Sequence, residues 1–363
     1  MDLVIYGAQG YALAVYEALK TIYPRRAISC FLVTKMETNA STLAGIPVKE
    51  IGFFSAEMSA EKKQNVEVFI ATPENVQSEI EETLENFGFF HYRRLNAERW
   101  NELMKLFHVK LGRFLPLAVL PVGCHMPFTR IYMAKSHVDK ALKNVCYLPE
   151  YVVPIQVGAD CCDVRIADLT DNRGEHISKK NGNYSELTAL YWIWKNKLIF
   201  NMATEGESKQ YYGLSQYRRM FDFDDDDLLR LVDNDVDVVL PYPLPYEPNI
   251  HAHHERYLAG RDWNTVMDVL TERQPEYIEN FKEILGQQYL YNYNVILAKK
   301  NVLKNYCEWL FPVLAEIEER SEPKGCGRCD RYIGYIGETL ETLYFMKNSD
   351  KLNIVHTQCR LLI

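Results

Sequence analysis

The sequence predicts an α/β protein of two consecutive domains, because strand and helix patterns alternate, stop at a Pro-rich stretch and then start again. The chain has 363 residues, more than the roughly 100–200 that one domain usually holds. Hydrophobic residues make up 47% of it, which is enough for two sizeable cores. The interruption at 111–128 is rich in Pro and Gly and lacks clear periodicity. We therefore expect a first domain over 1–108, a linker over 109–128 and a second domain over 129–363.

Composition and charge exclude several classes of function. The net charge of −8 argues against nucleic-acid binding through a basic surface. Nine Cys without a paired framework indicate a reducing compartment, and the N-terminus shows no basic leader before an apolar core. No apolar run reaches the ~18 residues that cross a bilayer. We expect a cytoplasmic protein whose contact with a membrane, if any, is peripheral. The 24 Tyr supply stacking faces and hydroxyls of the kind that carbohydrate sites use, although Tyr also fills cores.

The first domain begins with a strand, a Gly-containing turn and a helix. The strand covers 3–6, Gly7 and Gly10 lie in the turn, and the helix runs to about Lys20. Such a turn brings the backbone close to a ligand, and the helix N-terminus favours an anion, so we predict nucleotide binding at the two glycines. A Rossmann-like domain with an empty crevice fits the pattern equally well. The second strand, 27–34, ends without the acidic residue that binds a ribose, which argues against a nicotinamide oxidoreductase.

The order of these elements resembles the N-terminal domain of sugar acyltransferases of the sialic-acid O-acetyltransferase type. The resemblance covers about the first 95 residues and implies a Rossmann-like fold that can hold a nucleotide sugar. The hexapeptide repeats that form the left-handed β-helix of those acyltransferases are absent from the sequence, so we expect no acyl transfer.

Polar residues follow predicted strands and helix starts in the second domain. His137 comes shortly after the strand at 130–134, and the carboxyl ends of strands carry sites in open α/β sheets. A polar loop at 168–183 precedes an aromatic-rich helix, and we predict that three residues near its start line a sugar-nucleotide cleft: Lys180, Asn181 and Glu186. Asn183 and Glu186 also have capping-box spacing, so a purely structural role for Glu186 stays open.

A basic pair follows the strand predicted at 211–214. We predict that Arg218 and Arg219, with Tyr217 beside them, bind the donor diphosphate, because guanidinium groups neutralise phosphate oxygens. A solvated basic pair is the alternative. The acidic run at 222–227 suggests Mg²⁺ or Mn²⁺ on its carboxylates, but five acids before an apolar pair are more typical of the first turn of a helix. We assign no metal ligand and leave metal dependence open.

The last third of the chain offers two candidate general bases, Asp262 and Glu338, between which the sequence does not choose. A loop with three histidines has no zinc-site spacing, so we predict that His254 contacts an acceptor. We also predict a substrate contact from Asn294, in a strand at 289–297. The lone C-x-x-C of Cys326 and Cys329 favours neither zinc nor redox chemistry.

The second domain resembles a bacterial family known only as a domain of unknown function, whose members occur in capsular and exopolysaccharide gene clusters. The resemblance covers roughly 130–345 and depends on ordered motifs: IYMAKSH, YVVPIQVGA, ISKKNGNYSELTALYWIWKN, YYGLSQYRRMF, VDVVLPYP, YLYNYNVILAKK, CEWLFPVL and GYIGETL. Two positions depart from the family pattern. Gln216 stands where the family usually has His, and Gly174-Glu175-His176 stands where it has Gly-Asp-Asn.

This resemblance implies a GT-A-like glycosyltransferase domain of hexosyltransferase type. Its expected partners are a nucleotide-sugar donor, with a UDP-sugar as first choice, and a glycan or lipid-linked acceptor in capsule, exopolysaccharide or lipopolysaccharide synthesis. No cofactor beyond the donor is certain. If the family's histidine is catalytic, Gln216 would alter or weaken the activity. The alternative function is a non-catalytic protein that binds a nucleotide or nucleotide sugar through the Gly7 turn.

Overall fold

A computed structural model describes residues 2–37, 39–142, 147–199, 209–322 and 328–362. The chain divides into two compact units. The first runs to Phe114 and includes Leu244–Pro248, and the second holds Leu115–Pro243 and 249–362. The sequence predicts an insertion at 198–209, and most of it lies outside the described residues, as does Cys326 of the C-x-x-C. A domain boundary within 109–128 remains our proposal.

The first unit is a mostly parallel α/β sheet. Its six strands lie in the order β3-β4-β2-β1-β5-β6, antiparallel only between β3 and β4, and both faces of the sheet are covered by apolar side chains. The strand order reverses between β1 and β5, which is the place where α/β sheets bind ligands. The elements are β1 (Asp2–Tyr6), α1 (Gly10–Ile22), β2 (Ile28–Val33), β3 (Thr42–Leu43), β4 (Ile46–Glu50), α2 (Ile51–Ala56), α3 (Ala60–Lys63), β5 (Val66–Ile70), α4 (Gln77–Asn86), β6 (Tyr92–Arg94) and α5 (Ala97–Leu111).

The turn after β1 requires glycine. Gly7 has a φ of 128°, and a Cβ there would lie 2.7 Å from the carbonyl oxygen of Ala71. Its N–H donates to the carbonyl of Leu32 on the neighbouring strand. The predicted strand, turn and helix are therefore present, with α1 beginning at Gly10. Ligand binding by Gly7 and Gly10 stays a prediction.

The second unit is built on a mixed sheet of nine strands. Seven follow the order β16-β12-β15-β10-β7-β8-β9, and β11 and β17 extend the sheet from β10. The elements are β7 (Phe128–Lys135), β8 (Val152–Gln156), β9 (Leu169–Thr170), α6 (Asn181–Tyr184), α7 (Leu187–Ile193), β10 (Gln210–Gln216), β11 (Arg219–Phe221), α8 (Leu229–Asp233), β12 (Val238–Pro241), β13 (Leu244–Pro245, in the segment assigned to the first unit), α9 (Ile250–His254), α10 (Gly260–Arg273), α11 (Ile278–Gly286), β14 (Tyr289–Leu290), β15 (Ile296–Lys299), α12 (Lys300–Arg320), α13 (Tyr332–Lys347), β16 (Ile354–Thr357) and β17 (Cys359–Leu361).

Two parallel strands at the centre of this sheet end side by side. β7 pairs with β10 so that Ala134 lies opposite Gln216. Apolar residues of α7, α10, α12 and α13 pack on one face of the sheet, and a second cluster covers the other face. The α/β class predicted from the sequence is confirmed. No helix among the described residues is long and apolar enough to cross a bilayer.

Three local predictions were wrong. The strand expected at 289–297 is interrupted, because Tyr293 and Asn294 both adopt positive φ between β14 and β15. The sequence predicts that the last helix opens at Ile336, whereas α13 begins one turn earlier, at Tyr332. The acidic run at 222–227 was expected to form the first turn of a helix, but it forms a turn before α8. Asp224 and Asp227 of this turn pair with Arg230 of α8.

Candidate active site

A cavity of about 310 Å³ opens at the carboxyl ends of β7 and β10. Three residues predicted from the sequence line it, namely Asn181, Glu186 and Tyr217. The sequence analysis missed two charged residues of the lining, Asp139 and Arg331. The remaining lining residues are Ala134, Ser136, Val138, Val157, Gly182, Ser185, Gln216 and Cys329.

Glu186 occupies the N-cap position of α7, but its side chain belongs to the pocket. α7 begins after it, and its side chain makes no capping hydrogen bond, so the capping-box interpretation fails. Its Oε1 instead accepts a hydrogen bond of 2.6 Å from Nδ2 of Asn294, and the side chain of Gln216 also bonds to it. Burial raises the pKa of Glu186, while these amide donors oppose the rise. The predicted site residue Asn294 therefore acts on the pocket through Glu186.

The turn that carries Asn294 is strained. Tyr293 has a φ of 74° and Asn294 a φ of 50°, a conformation that costs non-glycine residues free energy and is typical of functional sites. Hydrogen bonds hold the turn: Gln216 Nε2 donates to the carbonyl of Tyr293 over 2.9 Å, and the Tyr293 N–H donates to Oε1 of Glu338 over 3.0 Å. The strain is thus offset by contacts that position Asn294 against Glu186.

Two further glutamates, Glu338 and Glu341, are buried near Glu186. Burial raises the pKa of Glu338 to about 8, and the nearby charge of Glu186 adds to the rise. Burial also raises the pKa of Glu341, with contributions from both other carboxyl groups. At neutral pH Glu338 is consequently mostly protonated. Glu186, which faces the cavity and accepts from two amides, is the carboxyl group best placed to carry the negative charge.

We expect Glu338→Gln to stabilise the protein at alkaline pH. The pKa of Glu338 is raised on folding, so its contribution to stability is present below about pH 4.3, the unfolded value, and is lost as pH rises through about 8. The neutral amide avoids this loss and still accepts from Tyr293. Relative to the variant, the free energy of unfolding of the wild type should fall by up to about 1.4 kcal/mol for each pH unit between 5 and 8. Melting temperatures over this range test it, with exposed Glu319→Gln as the control. A difference independent of pH would contradict the assignment.

Cationic groups surround the carboxyl of Asp139 at the other side of the cavity. Burial raises the pKa of Asp139, while the charges of Arg331, Lys135 and Arg218 lower it. Its Oδ2 accepts from the Ser136 N–H over 2.7 Å, which closes the turn after β7. The positive charges of these three groups at one side of the cavity suit an anionic ligand.

Arg331 is placed by the start of α13. It has a φ of 62°, and its N–H donates to the carbonyl of Gly182 over 3.2 Å. Its side chain is exposed and lines the cavity. A guanidinium group at a cavity wall can donate two hydrogen bonds to phosphate oxygens.

The two arginines predicted to bind phosphate differ in surroundings. Tyr217 and Arg218 form the turn between β10 and β11, where Gln216 pairs with Arg219. Arg219 stacks on Tyr293, 4.4 Å from the ring centre, and donates to its hydroxyl over 3.2 Å. The Nε of Arg218 is buried without a hydrogen-bond partner in the described part of the chain. Arg218 therefore has donor capacity to spare.

Asp262 is held in a buried ion pair away from the cavity lining. Its two carboxylate oxygens accept from Nη1 and Nη2 of Arg328 over 2.6 and 2.8 Å, and Asp262 is 1% exposed. Oδ2 also accepts from the Ala259 N–H at the start of α10, and the arginine helps to lower the pKa of Asp262. These contacts favour a structural role over the predicted role as a base.

We expect Asp262→Ala to destabilise the protein by about 1.5–3 kcal/mol, because it removes the buried carboxylate of Arg328 and leaves the guanidinium only its second carboxylate partner, Asp330. The double variant Asp262→Asn with Arg328→Gln removes both charges and should recover much of the stability and the activity. Chemical denaturation and a transfer assay test this pair. If the double variant is stable but inactive, Asp262 is the general base after all.

The other predicted site residues lie outside the cavity lining. His254 is fully buried, its Nδ1 lies 3.0 Å from Oγ1 of Thr339, and burial lowers its pKa to about 3. Lys180 pairs with Glu318. His137 is exposed in the turn after β7. Substrate contacts from these three residues stay predictions.

Comparison with known proteins identifies the family. The family described as "Domain of unknown function (DUF4422)" matches residues 130–349, more than half of the chain. The chain therefore belongs to this family. No curated protein matches at a significant level.

One solved structure is similar in fold, "WbbM bifunctional glycosytransferase apo structure". The identity is 24% and the TM-score 0.52, and the match covers 64% of this chain and 45% of that chain. The chain thus shares its fold with a part of that protein that amounts to less than half of that protein's length.

Proposed function

We propose that this protein is a glycosyltransferase that moves a hexose from a nucleotide sugar to a glycan or lipid-linked acceptor in bacterial surface-polysaccharide synthesis. The observation that carries the proposal is the cavity of the second unit. Its lining contains the Glu186 carboxyl group and the Arg331 guanidinium, and the charges of Lys135 and Arg218 act on the lining residue Asp139. The glycosyltransferase-like fold and the ordered family motifs support the same class of function.

The guanidinium groups of Arg331 and Arg218 would bind the donor diphosphate. Arg331 lines the cavity, Arg218 has an unpaired buried Nε, and both charges reach Asp139. Negative charge grows on the diphosphate as the sugar departs, so donors placed there stabilise the transition state more than the ground state. Arginine suits this task because it stays charged and presents a planar fork of N–H groups.

Glu186 would act as the general base of an inverting reaction. The acceptor hydroxyl would give its proton to the Glu186 carboxylate while its oxygen forms a bond to the anomeric carbon. The bond from that carbon to the diphosphate oxygen would break, and the nucleoside diphosphate would leave with the electron pair. The hydrogen bonds from Asn294 and Gln216 orient the carboxylate and oppose the rise in its pKa that burial causes.

Gln216 occupies the position where the family pattern has histidine. Its amide donates to the carbonyl of Tyr293 and bonds to Glu186, so it supports the base through the strained turn. A histidine at this position could perform proton transfer itself, whereas glutamine cannot. We infer that in this chain the proton-transfer role belongs to Glu186.

Metal need not take part in this mechanism. The acidic run at 222–227 is committed to its own turn: Asp224 Oδ1 accepts from the Asp226 N–H, and Arg230 pairs with Asp224 and Asp227. We propose that guanidinium groups replace the divalent cation. Sugar transfer measured in excess chelator tests this. Undiminished activity is expected, and activity lost in chelator and restored by Mn²⁺ would contradict it.

A further inference from the structure

Three side chains with metal-binding atoms meet at the surface of the second unit, outside the candidate active site. Cys124 and His125 belong to the segment before β7, and Asp233 is the last residue of α8. One donor atom from each lies within 4.8 Å of the others, and all three residues are exposed. Asp233 lies 109 positions after Cys124 and 108 positions after His125, so the fold brings it to the other two residues.

Backbone contacts hold the three side chains in place. Asp233 Oδ2 accepts from the N–H groups of Cys124 and His125, over 2.6 and 3.2 Å. A Cβ at Gly123 would lie 2.2 Å from this same oxygen and 2.6 Å from the carbonyl of Leu229, so only glycine allows the segment to pass so close to α8. Asn234 Nδ2 fixes the segment further by donating to the carbonyl of Pro121 over 2.9 Å.

The distances between donor atoms suit a tetrahedral cation. Metal bonds of about 2.0–2.3 Å place neighbouring donors roughly 3.3–3.8 Å apart. Cys124 Sγ lies 3.5 Å from Nδ1 of His125, within that range. His125 Nδ1 lies 2.6 Å from Oδ1 of Asp233, so this hydrogen bond must open by somewhat less than an ångström when a cation replaces its proton.

We propose that Cys124, His125 and Asp233 form a binding site for a zinc-like divalent cation. A thiolate, an imidazole and a carboxylate are the ligand types of Zn²⁺, whereas Mg²⁺ and Mn²⁺ favour oxygen alone. Three protein ligands leave a fourth position for water or for a group from outside. The site joins the segment before β7 to α8, and its existence does not depend on the proposed transferase activity.

The test is a titration of the full-length, metal-free protein with Co²⁺ and then Zn²⁺. Wild type should show a thiolate-to-cobalt charge-transfer band that Zn²⁺ abolishes. Cys124→Ser, His125→Gln and Asp233→Asn should each weaken zinc binding at least about tenfold. Asp233→Asn keeps an oxygen that accepts from the two N–H groups. Cys161→Ser removes an exposed thiol elsewhere in the same unit and should leave the affinity unchanged.

Alkylation of the thiols of the wild-type protein gives a second measurement. This measurement does not require any variant to fold. Zn²⁺ should slow the labelling of Cys124 and not that of Cys161. The proposal is overturned if the cobalt band persists in Cys124→Ser, if Cys161→Ser loses the band, or if zinc fails to protect Cys124. In that case the three residues form only a hydrogen-bonded surface turn.

Discussion

Glu186→Gln should lower kcat for sugar transfer by about 10²–10⁴-fold while leaving the KM for the donor within a few-fold. The substitution removes the proton acceptor and keeps the shape of the side chain. Glutamine can still accept the hydrogen bond from Asn294, so the turn at Tyr293 and Asn294 should stay formed. The loss should therefore appear in kcat and not in donor binding.

Two further variants separate Glu186 from its neighbours. Glu338→Gln mimics the protonated form that predominates at neutral pH and should keep activity within about tenfold of wild type. Glu319→Gln changes an exposed carboxylate and should have no effect. Since burial raises the pKa of Glu186, the acid limb of the wild-type rate profile should lie above the ordinary glutamate value. If Glu338→Gln is inactive and Glu186→Gln is active, the two roles are reversed.

Arg331→Ala should lower kcat/KM by roughly 30- to 1000-fold, which corresponds to about 2–4 kcal/mol of transition-state stabilisation. Arg218→Ala should have an effect of the same order. Both guanidinium groups influence Asp139 at the cavity wall. Steady-state kinetics over a range of donor concentrations measures each loss. Arg331→Lys should recover part of it, because lysine keeps the charge but lacks the planar fork.

Arg219→Ala is the matched comparison. Its guanidinium stacks on Tyr293 and bonds to the tyrosine hydroxyl, so its loss should affect mainly the turn that holds Asn294. We expect a smaller decrease in rate, together with a decrease in stability. Activity that survives both Arg331→Ala and Arg218→Ala would refute the phosphate-binding role of these two arginines.

Local patterns predicted much of the fold. The strand and Gly turn at Gly7 appear as predicted because close approach to Ala71 admits only glycine there. β7 and β10 correspond to the strands predicted at 130–134 and 211–214. The interruption between β14 and β15 was missed because its positive φ values fall on Tyr293 and Asn294, and no glycine marks the turn.

The site was harder to predict, because tertiary contacts decide the state of each charged group. Asp262 and Glu338 looked alike as candidate bases. The structure pairs the first with Arg328 and buries the second beside Glu186. No sequence pattern pointed to Arg331 as a site residue. It precedes α13 in a left-handed conformation, and it is not a typical capping residue. Spacing along the chain reveals neither an ion-pair partner 66 residues away nor the desolvation of a carboxyl group.

The most direct test of the central claim is a binding titration of nucleotide sugars, UDP-sugars first, in excess chelator. It should compare wild type with Arg331→Ala and with Gly10→Val, which alters the turn of the first unit. We predict that wild type binds a nucleotide sugar without metal, that Arg331→Ala binds it much more weakly, and that Gly10→Val binds it as wild type does. Binding that survives Arg331→Ala and Arg218→Ala but disappears in Gly10→Val would place the nucleotide at the Gly7 turn. That result would contradict a transferase site in the second unit and favour a non-catalytic nucleotide-binding protein.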